Sequence, residues 1–175
     1  MKIAKLAALN TFILCAIFLC AASTANAQTA DACKLLDAHP GWRSALNDAE
    51  NRWGVSGGSI LAFIDQESRF RATASNGPNY GYAQSTSQTW NWFRRSANMP
   101  SASRTDFSDC VQFVGWHFKT MNSRLGIGVN DVGHQYLAYQ MGEGGYRNRR
   151  PSGTSVSRSV ASKAAIFNRQ LAGCD

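Results

Sequence analysis

The sequence predicts a mainly α-helical fold in a single domain. Apolar residues recur at helical spacing in one segment after another, and no stretch sustains the alternation of a half-buried strand. The part that folds is about 148 residues, the size of one domain with its own core.

The first 27 residues are set apart from it. Lys2 and Lys5 precede an apolar run from about Phe12 to Cys20, followed by Ala25-Asn26-Ala27. A basic start, an apolar stretch too short to span a bilayer and a small-x-small end are the parts of a secretory leader. The expected organisation is a removed leader, 1–27, and a folded domain, 28–175. Export predicts a periplasmic or secreted protein with no stable membrane anchor, in a compartment where disulfides persist. The domain holds Cys33, Cys110 and Cys174, which reads as one pair and one spare. Chain ends, where Cys33 and Cys174 lie, gain most from a staple.

Each helix has its own signals. In GWRSALNDAENRWG, Trp42, Ala45, Leu46, Ala49 and Trp53 form one stripe that stops at Gly54. Ser56 to Phe70 forms a second helix, and TASNGPNYGY after it reads as a loop. Gln84 to Arg95 is a short helix. TDFSDCVQFVGWHFKTM spaces Phe107, Cys110, Val111, Val114, Phe118 and Met121 along a core face, capped by Thr105 or Asp106. Cys110 therefore sits at a buried position, where a thiol behaves as a small hydrophobe. Asn130 or Asp131 caps a further helix through Val132, Tyr136 and Tyr139, and MGEGGYRNRRPSG reads as a second glycine-rich loop. Val156, Val160, Ala164, Phe167 and Leu171 mark the last of six helices.

One residue breaks this pattern chemically. Glu67 stands seven after Ile60, four after Phe63 and three after Ile64, so it belongs to the apolar stripe of its helix. Burial and the carbonyl end of the helix both disfavour its charged form. A carboxyl that keeps its proton near neutral pH is what a general acid requires. Asp65 points to another face and reads as solvated.

Charge alone selects no partner. The leader carries two of the 18 basic residues and none of the 11 acidic ones, which leaves 16 minus 11, or +5, on the domain. In the basic run from Arg147 to Arg169 the one aromatic, Phe167, belongs to the apolar stripe of the last helix, so nucleic-acid binding is not expected. The cysteines are far apart and His39, His117 and His134 form no ligand pattern, so no metal or other cofactor is expected.

Three motifs in order carry a resemblance: Glu67-Ser68 closing an apolar helix, Gly81-Tyr82-Ala83-Gln84, and Ala138-Tyr139-Gln140-Met141-Gly142. Together they resemble the lytic transglycosylases of the goose-lysozyme-like SLT class, whose usual form is Glu-Ser, Gly-Leu-Met-Gln and Ala-Tyr-Asn-Ala-Gly. HPGW, NRWGV, GYAQ and FVGW are similar to one exported bacterial subgroup, in which cysteines lie near both ends. That similarity implies a Cys33–Cys174 pairing with Cys110 free. Tyr82-Ala83 and Gln140-Met141 depart from the usual motifs.

The resemblance implies a lysozyme-like helical domain with a substrate cleft. It implies cleavage of the β-1,4 bond between N-acetylmuramic acid and N-acetylglucosamine in peptidoglycan, leaving a 1,6-anhydro end. Glu67 would make both proton transfers, Tyr139 would orient it by a hydrogen bond, and Ser68, Tyr82 and Gln84 would contact substrate. Glycan strands are the expected partner of a monomer, with envelope or secretion-machine proteins as further partners. Two rivals remain at this point. A goose-type lysozyme would hydrolyse the same bond and need a carboxylate to position water, for which only Asp65 and Glu143 lie near the motifs. A non-catalytic wall-binding or secretion accessory protein would not need a carboxyl on an apolar stripe.

Overall fold

Seven helices and one small hairpin follow one another in the computed structural model, which describes residues 29–149 and 151–174. The leader read at 1–27 lies outside the described residues. The chain begins with α1 (Ala32–Asp37), whose N-terminus is capped by the Asp31 side chain. Then come α2 (Trp42–Trp53), closed by left-handed Gly54, and α3 (Gly57–Ser68), capped by Ser56. The hairpin pairs β1 (Ser75–Asn76) with β2 (Asn79–Tyr80) around Gly77-Pro78. Next are α4 (Ser87–Ser96), capped by Thr86, and α5 (Phe107–Leu125), capped by Asp106. The last two are α6 (Val132–Arg149) and α7 (Ser155–Leu171).

Three expectations need correction. α1 was not foreseen, because six residues are too few to show a period. The TASNGPNYGY loop holds a hairpin. The stretch expected to form a second glycine-rich loop is instead helical to Arg149, with a bend where Gly142 (φ 69°, ψ 163°) departs from helical geometry. Twelve residues of straight helix would separate His134 from Tyr146 by about 18 Å along the axis. Their side chains meet at 2.6 Å, so the helix folds back at Gly142.

α3 is the centre of the packing. Every residue from Gly57 to Ile64 is buried, which is the signature of a helix enclosed on all sides rather than laid on a surface. Its closest neighbour is α7. A Cβ on Gly58 would lie 2.5 Å from the backbone nitrogen of Asn168, so only glycine allows that approach. Phe63 meets Phe118 of α5 and Tyr136 of α6 edge-on, at 5.6 and 5.9 Å between ring centres. α5 packs on α2 through Gly115, which lies against the Trp53 ring. The buried amide of Gln135 donates to the carbonyls of Phe118 and Gly128, both at 3.1 Å, and holds the turn between α5 and α6. A disulfide joins Cys33 on α1 to Cys174 after α7, and Cys110 is free and buried.

The two kinds of glycine should respond oppositely to alanine. Gly58→Ala should lower unfolding stability by about 1–3 kcal/mol through overpacking against α7. Gly144→Ala, where a methyl group meets nothing within 4 Å, should raise it by about 0.5–1 kcal/mol. Denaturant unfolding of both variants checks the pair; equal effects would contradict the close α3–α7 approach.

Candidate active site

Glu67 reaches the surface because α3 ends there. Ser68 is its last helical residue, and Arg69 (φ 52°) and Phe70 (φ 59°) are both left-handed, turning the chain sharply. Two left-handed non-glycine residues in succession are costly. Phe70 offsets this by packing at the ring of Trp42 (6.3 Å) and of Phe167 (6.4 Å). The carboxyl is thus delivered at the mouth of a cavity of about 550 Å³.

Three other segments complete that cavity. The hairpin contributes Asn76 and Asn79, the start of α4 contributes Thr86 and Thr89, and α6 contributes Tyr136, Tyr139 and Gln140. Residues three and four apart on a helix share a face, which is why those three of α6 line one wall together. Gln84 lines it too, 8 % exposed, with its amide nitrogen donating to the carbonyls of Ala74 (2.8 Å) and Gly81 (2.9 Å). Its backbone is left-handed (φ 48°), as is that of Gly81 (φ 84°). A Cβ at Gly81 would collide with the Arg104 carbonyl, so the turn that carries Gln84 requires glycine there.

Burial sets the electrostatics of the site. Desolvation pushes the Glu67 carboxyl up from 4.5 to about 7, against a hydrogen bond from Tyr136 that favours the anion. Burial and repulsion from Glu67 push the Tyr136 phenol up in turn. Gln140 Nε2 donates to Tyr136 Oη at 3.1 Å, which fixes the phenol in the cavity wall. Among the described residues, no other carboxylate and no cationic side chain lines the cavity. Asp65, expected to be solvated, is instead paired with Lys163 at 2.5 Å. Glu143 is held by Arg124 at 2.8 Å and Arg147 at 2.7 Å.

The expected site residues divide into two groups. Glu67, Gln84 and Tyr139 line one cavity, although Tyr139 is far from the other two in sequence. The Tyr139 hydroxyl, however, donates to the carbonyl of Ala83 at 2.7 Å, which leaves Tyr136 as the phenol that favours the Glu67 anion. Tyr139 ties α6 to the loop that carries Gln84. Ser68 and Tyr82 are not at the cavity. Ser68 is 1 % exposed and donates back to the Ile64 carbonyl at 3.2 Å, because a residue next to Glu67 faces another side of the helix. Tyr82 is 8 % exposed and sits edge-on to Trp42 (5.9 Å) and Phe107 (5.7 Å).

Sequence reasoning missed Tyr136 as a site residue because its place on the apolar stripe reads as core. It missed Asn76, Asn79, Thr86 and Thr89 because loop and cap residues carry no period. Among the described residues, no group of three or more His, Cys, Asp or Glu is placed to hold a metal ion.

A family model described as a transglycosylase SLT domain matches residues 8–174. No curated protein and no solved structure matches the chain.

Glu67 should make folding stability depend on pH with a defined sign. The folded state keeps this proton up to about pH 7, whereas the unfolded chain releases it near 4.5. The stabilisation is complete below pH 4.5, declines as pH rises through this window and is lost above 7, a change of about 3 kcal/mol. Unfolding free energies of wild type and Glu67→Gln, measured from pH 4 to 9, should converge at low pH and separate in favour of the variant at high pH. Parallel curves would contradict the shift. Tyr136→Phe should move the carboxyl further up, whereas Tyr139→Phe should cost about 1 kcal/mol of stability without removing a hydrogen bond to Glu67.

Proposed function

The chain belongs to the transglycosylase SLT domain family, and from that premise we propose that it cleaves the β-1,4 bond between N-acetylmuramic acid and N-acetylglucosamine in peptidoglycan, forming a 1,6-anhydromuramyl end. Family membership supports glycan cleavage at the cell wall in general. The observation that carries the finer reading is a cavity with one carboxyl, Glu67, raised to about 7 and with no second carboxylate beside it among the described residues.

One such group is sufficient if the nucleophile belongs to the substrate. Protonated Glu67 gives its proton to the glycosidic oxygen as the bond to the anomeric carbon breaks. The carboxylate then takes the proton of the muramyl 6-hydroxyl, and that oxygen bonds to the same anomeric carbon. Glu67 ends protonated, no water is consumed, and the two products together are isomeric with the substrate. Tyr136 steadies the carboxylate between the two steps. The Gln84 amide nitrogen is engaged by backbone, which leaves its carbonyl oxygen to accept from a substrate acetamide. Asn76, Asn79, Thr86 and Thr89 add uncharged donors and acceptors suited to sugar hydroxyls.

Hydrolysis would need a carboxylate to position water. Asp65 and Glu143 are both committed to cations and neither lines the cavity, so transglycosylation is the better reading. We place the protein at the wall, exported through residues 1–27 and acting on glycan strands without a cofactor. No described helix is long and apolar enough to cross a membrane.

Purified protein incubated with peptidoglycan should release fragments whose muramyl ends are lighter by one water than reducing ends, read by mass spectrometry. Glu67→Gln should lose about 10²- to 10⁴-fold of that activity while remaining folded. Reducing ends from the wild type would transfer the protein to the hydrolytic class, and an active Glu67→Gln would remove the assignment.

A further inference from the structure

The bend of α6 at Gly142 builds a second cavity, of about 500 Å³, lined by Arg124, Leu125, His134, Tyr146, Arg147 and Pro151. Its chemistry is the reverse of the first. Among the described residues, the cleft around Glu67 has no cationic side chain in its lining, whereas this one has two guanidiniums and no carboxylate. Glu143 bridges the guanidiniums from outside the lining, Oε2 to Arg124 Nη1 at 2.8 Å and Oε1 to Arg147 Nη2 at 2.7 Å. It neutralises one charge of the two. Each guanidinium is a fork of five donors. The described bonds use the Arg124 Nη1 and the Arg147 Nη2, the latter also reaching the Arg124 carbonyl at 3.5 Å. The remaining donors have no protein acceptor among the described residues. His134 Nδ1 and Tyr146 Oη, 2.6 Å apart, fix the opposite wall, and Leu125 and Pro151 give it an apolar part.

The two cavities are also close. Thr89 lines the cleft, and Trp92 lies three residues, or about 5 Å, further along the same helix. The Arg124 guanidinium sits over the Trp92 ring at 4.8 Å, and Arg124 lines the basic cavity. On α6, Gln140 lines the cleft just before the Gly142 bend that forms the other cavity.

A neutral polar cleft beside a basic pocket fits a ligand that is uncharged along its backbone and anionic on its branches. We propose that the Arg124–Arg147 pocket binds a carboxylate of the peptide carried by the glycan strand whose sugars occupy the cleft. This rests on the peptidoglycan reading above. A planar carboxylate would take the free edges of the two guanidinium forks, with the peptide's aliphatic part against Leu125 and Pro151. The site adds affinity for peptide-bearing strands and leaves bond cleavage to Glu67.

The test compares three substrates: native strands, strands with peptide carboxylates converted to amides, and strands stripped of peptide. Wild type should show a KM about three- to tenfold higher on the second and third than on the first, the size of one charge-assisted contact at a partly exposed site, with kcat little changed. Arg147→Gln should raise KM on native strands by the same factor and abolish the difference among the three. Equal KM values for wild type on all three would overturn the proposal. A second measurement holds even if no strand is cleaved: a free acidic stem peptide titrated into the protein should shift the NMR signals of His134 and Tyr146, and its amide should not. Failure of the acidic peptide to shift them would refute the pocket independently of the reaction. Inorganic phosphate run in parallel separates the sources of anion: stronger shifts with phosphate than with the peptide would assign the pocket to phosphate-bearing polymers and overturn the carboxylate assignment.

Discussion

A carboxyl on the last turn of an enclosed helix lacks nearly everything that stabilises its charge. Around Glu67, water is displaced by the packing of α5, α6 and α7 on α3. The carbonyl end of α3 adds partial negative charge at the same place. Lys163 of α7 is already bound to Asp65 and Gln66. What remains is one hydrogen bond from Tyr136, which is less than the desolvation it opposes. The helix is kept in this unfavourable position by its other residues. Ile60, Leu61, Phe63 and Ile64 are each 0 % exposed, and burying such side chains contributes about 1.5–3 kcal/mol apiece. Their burial outweighs the cost of the one acid they carry with them.

The rest of the site depends on that helix end. Since Glu67 is presented at one edge of the core, the cleft has to be built by whatever reaches that edge. α6 arrives through Tyr136 and Tyr139, both packed edge-on against Phe63. The hydroxyl of Tyr139 then holds Ala83, the Gln84 amide holds Ala74 and Gly81, and the hairpin is fixed over the carboxyl. These are backbone-directed bonds, so the loop is positioned by side chains whose own places are set by the core. The two tyrosines play different parts: Tyr136 favours the Glu67 anion, and Tyr139 builds the wall beside it.

Much of this was legible in the sequence, for physical reasons that differ by element. Glu67 was legible because a charged residue on an apolar helical stripe contradicts the cost of burying it. α2, α5 and α7 were legible because their stripes are long enough to repeat, and Gly54 and Asp106 mark ends that the structure uses as caps. The exchange of roles between Tyr136 and Tyr139 was not. Periodicity puts both on the inner face, but which hydroxyl meets the acid depends on Ala83, 56 residues away in the chain. Ser68 and Tyr82 were named for their places in motifs, and adjacency in sequence does not decide direction in space. The second half of α6 was lost because Gly142, Gly144 and Gly145 together read as a loop, although only Gly142 leaves helical geometry. That bend, which no period could show, creates the basic pocket next to the cleft.

The central claim is that one desolvated carboxyl, poised to give and retake a proton near neutral pH, is the chemical device of this fold. Its most direct test is a carbon-detected NMR titration of the Glu67 side-chain carboxyl in the folded protein. The account predicts a midpoint near 7. A midpoint near the ordinary 4.5 would mean that Glu67 is ionised at neutral pH, and the single-acid account would be contradicted.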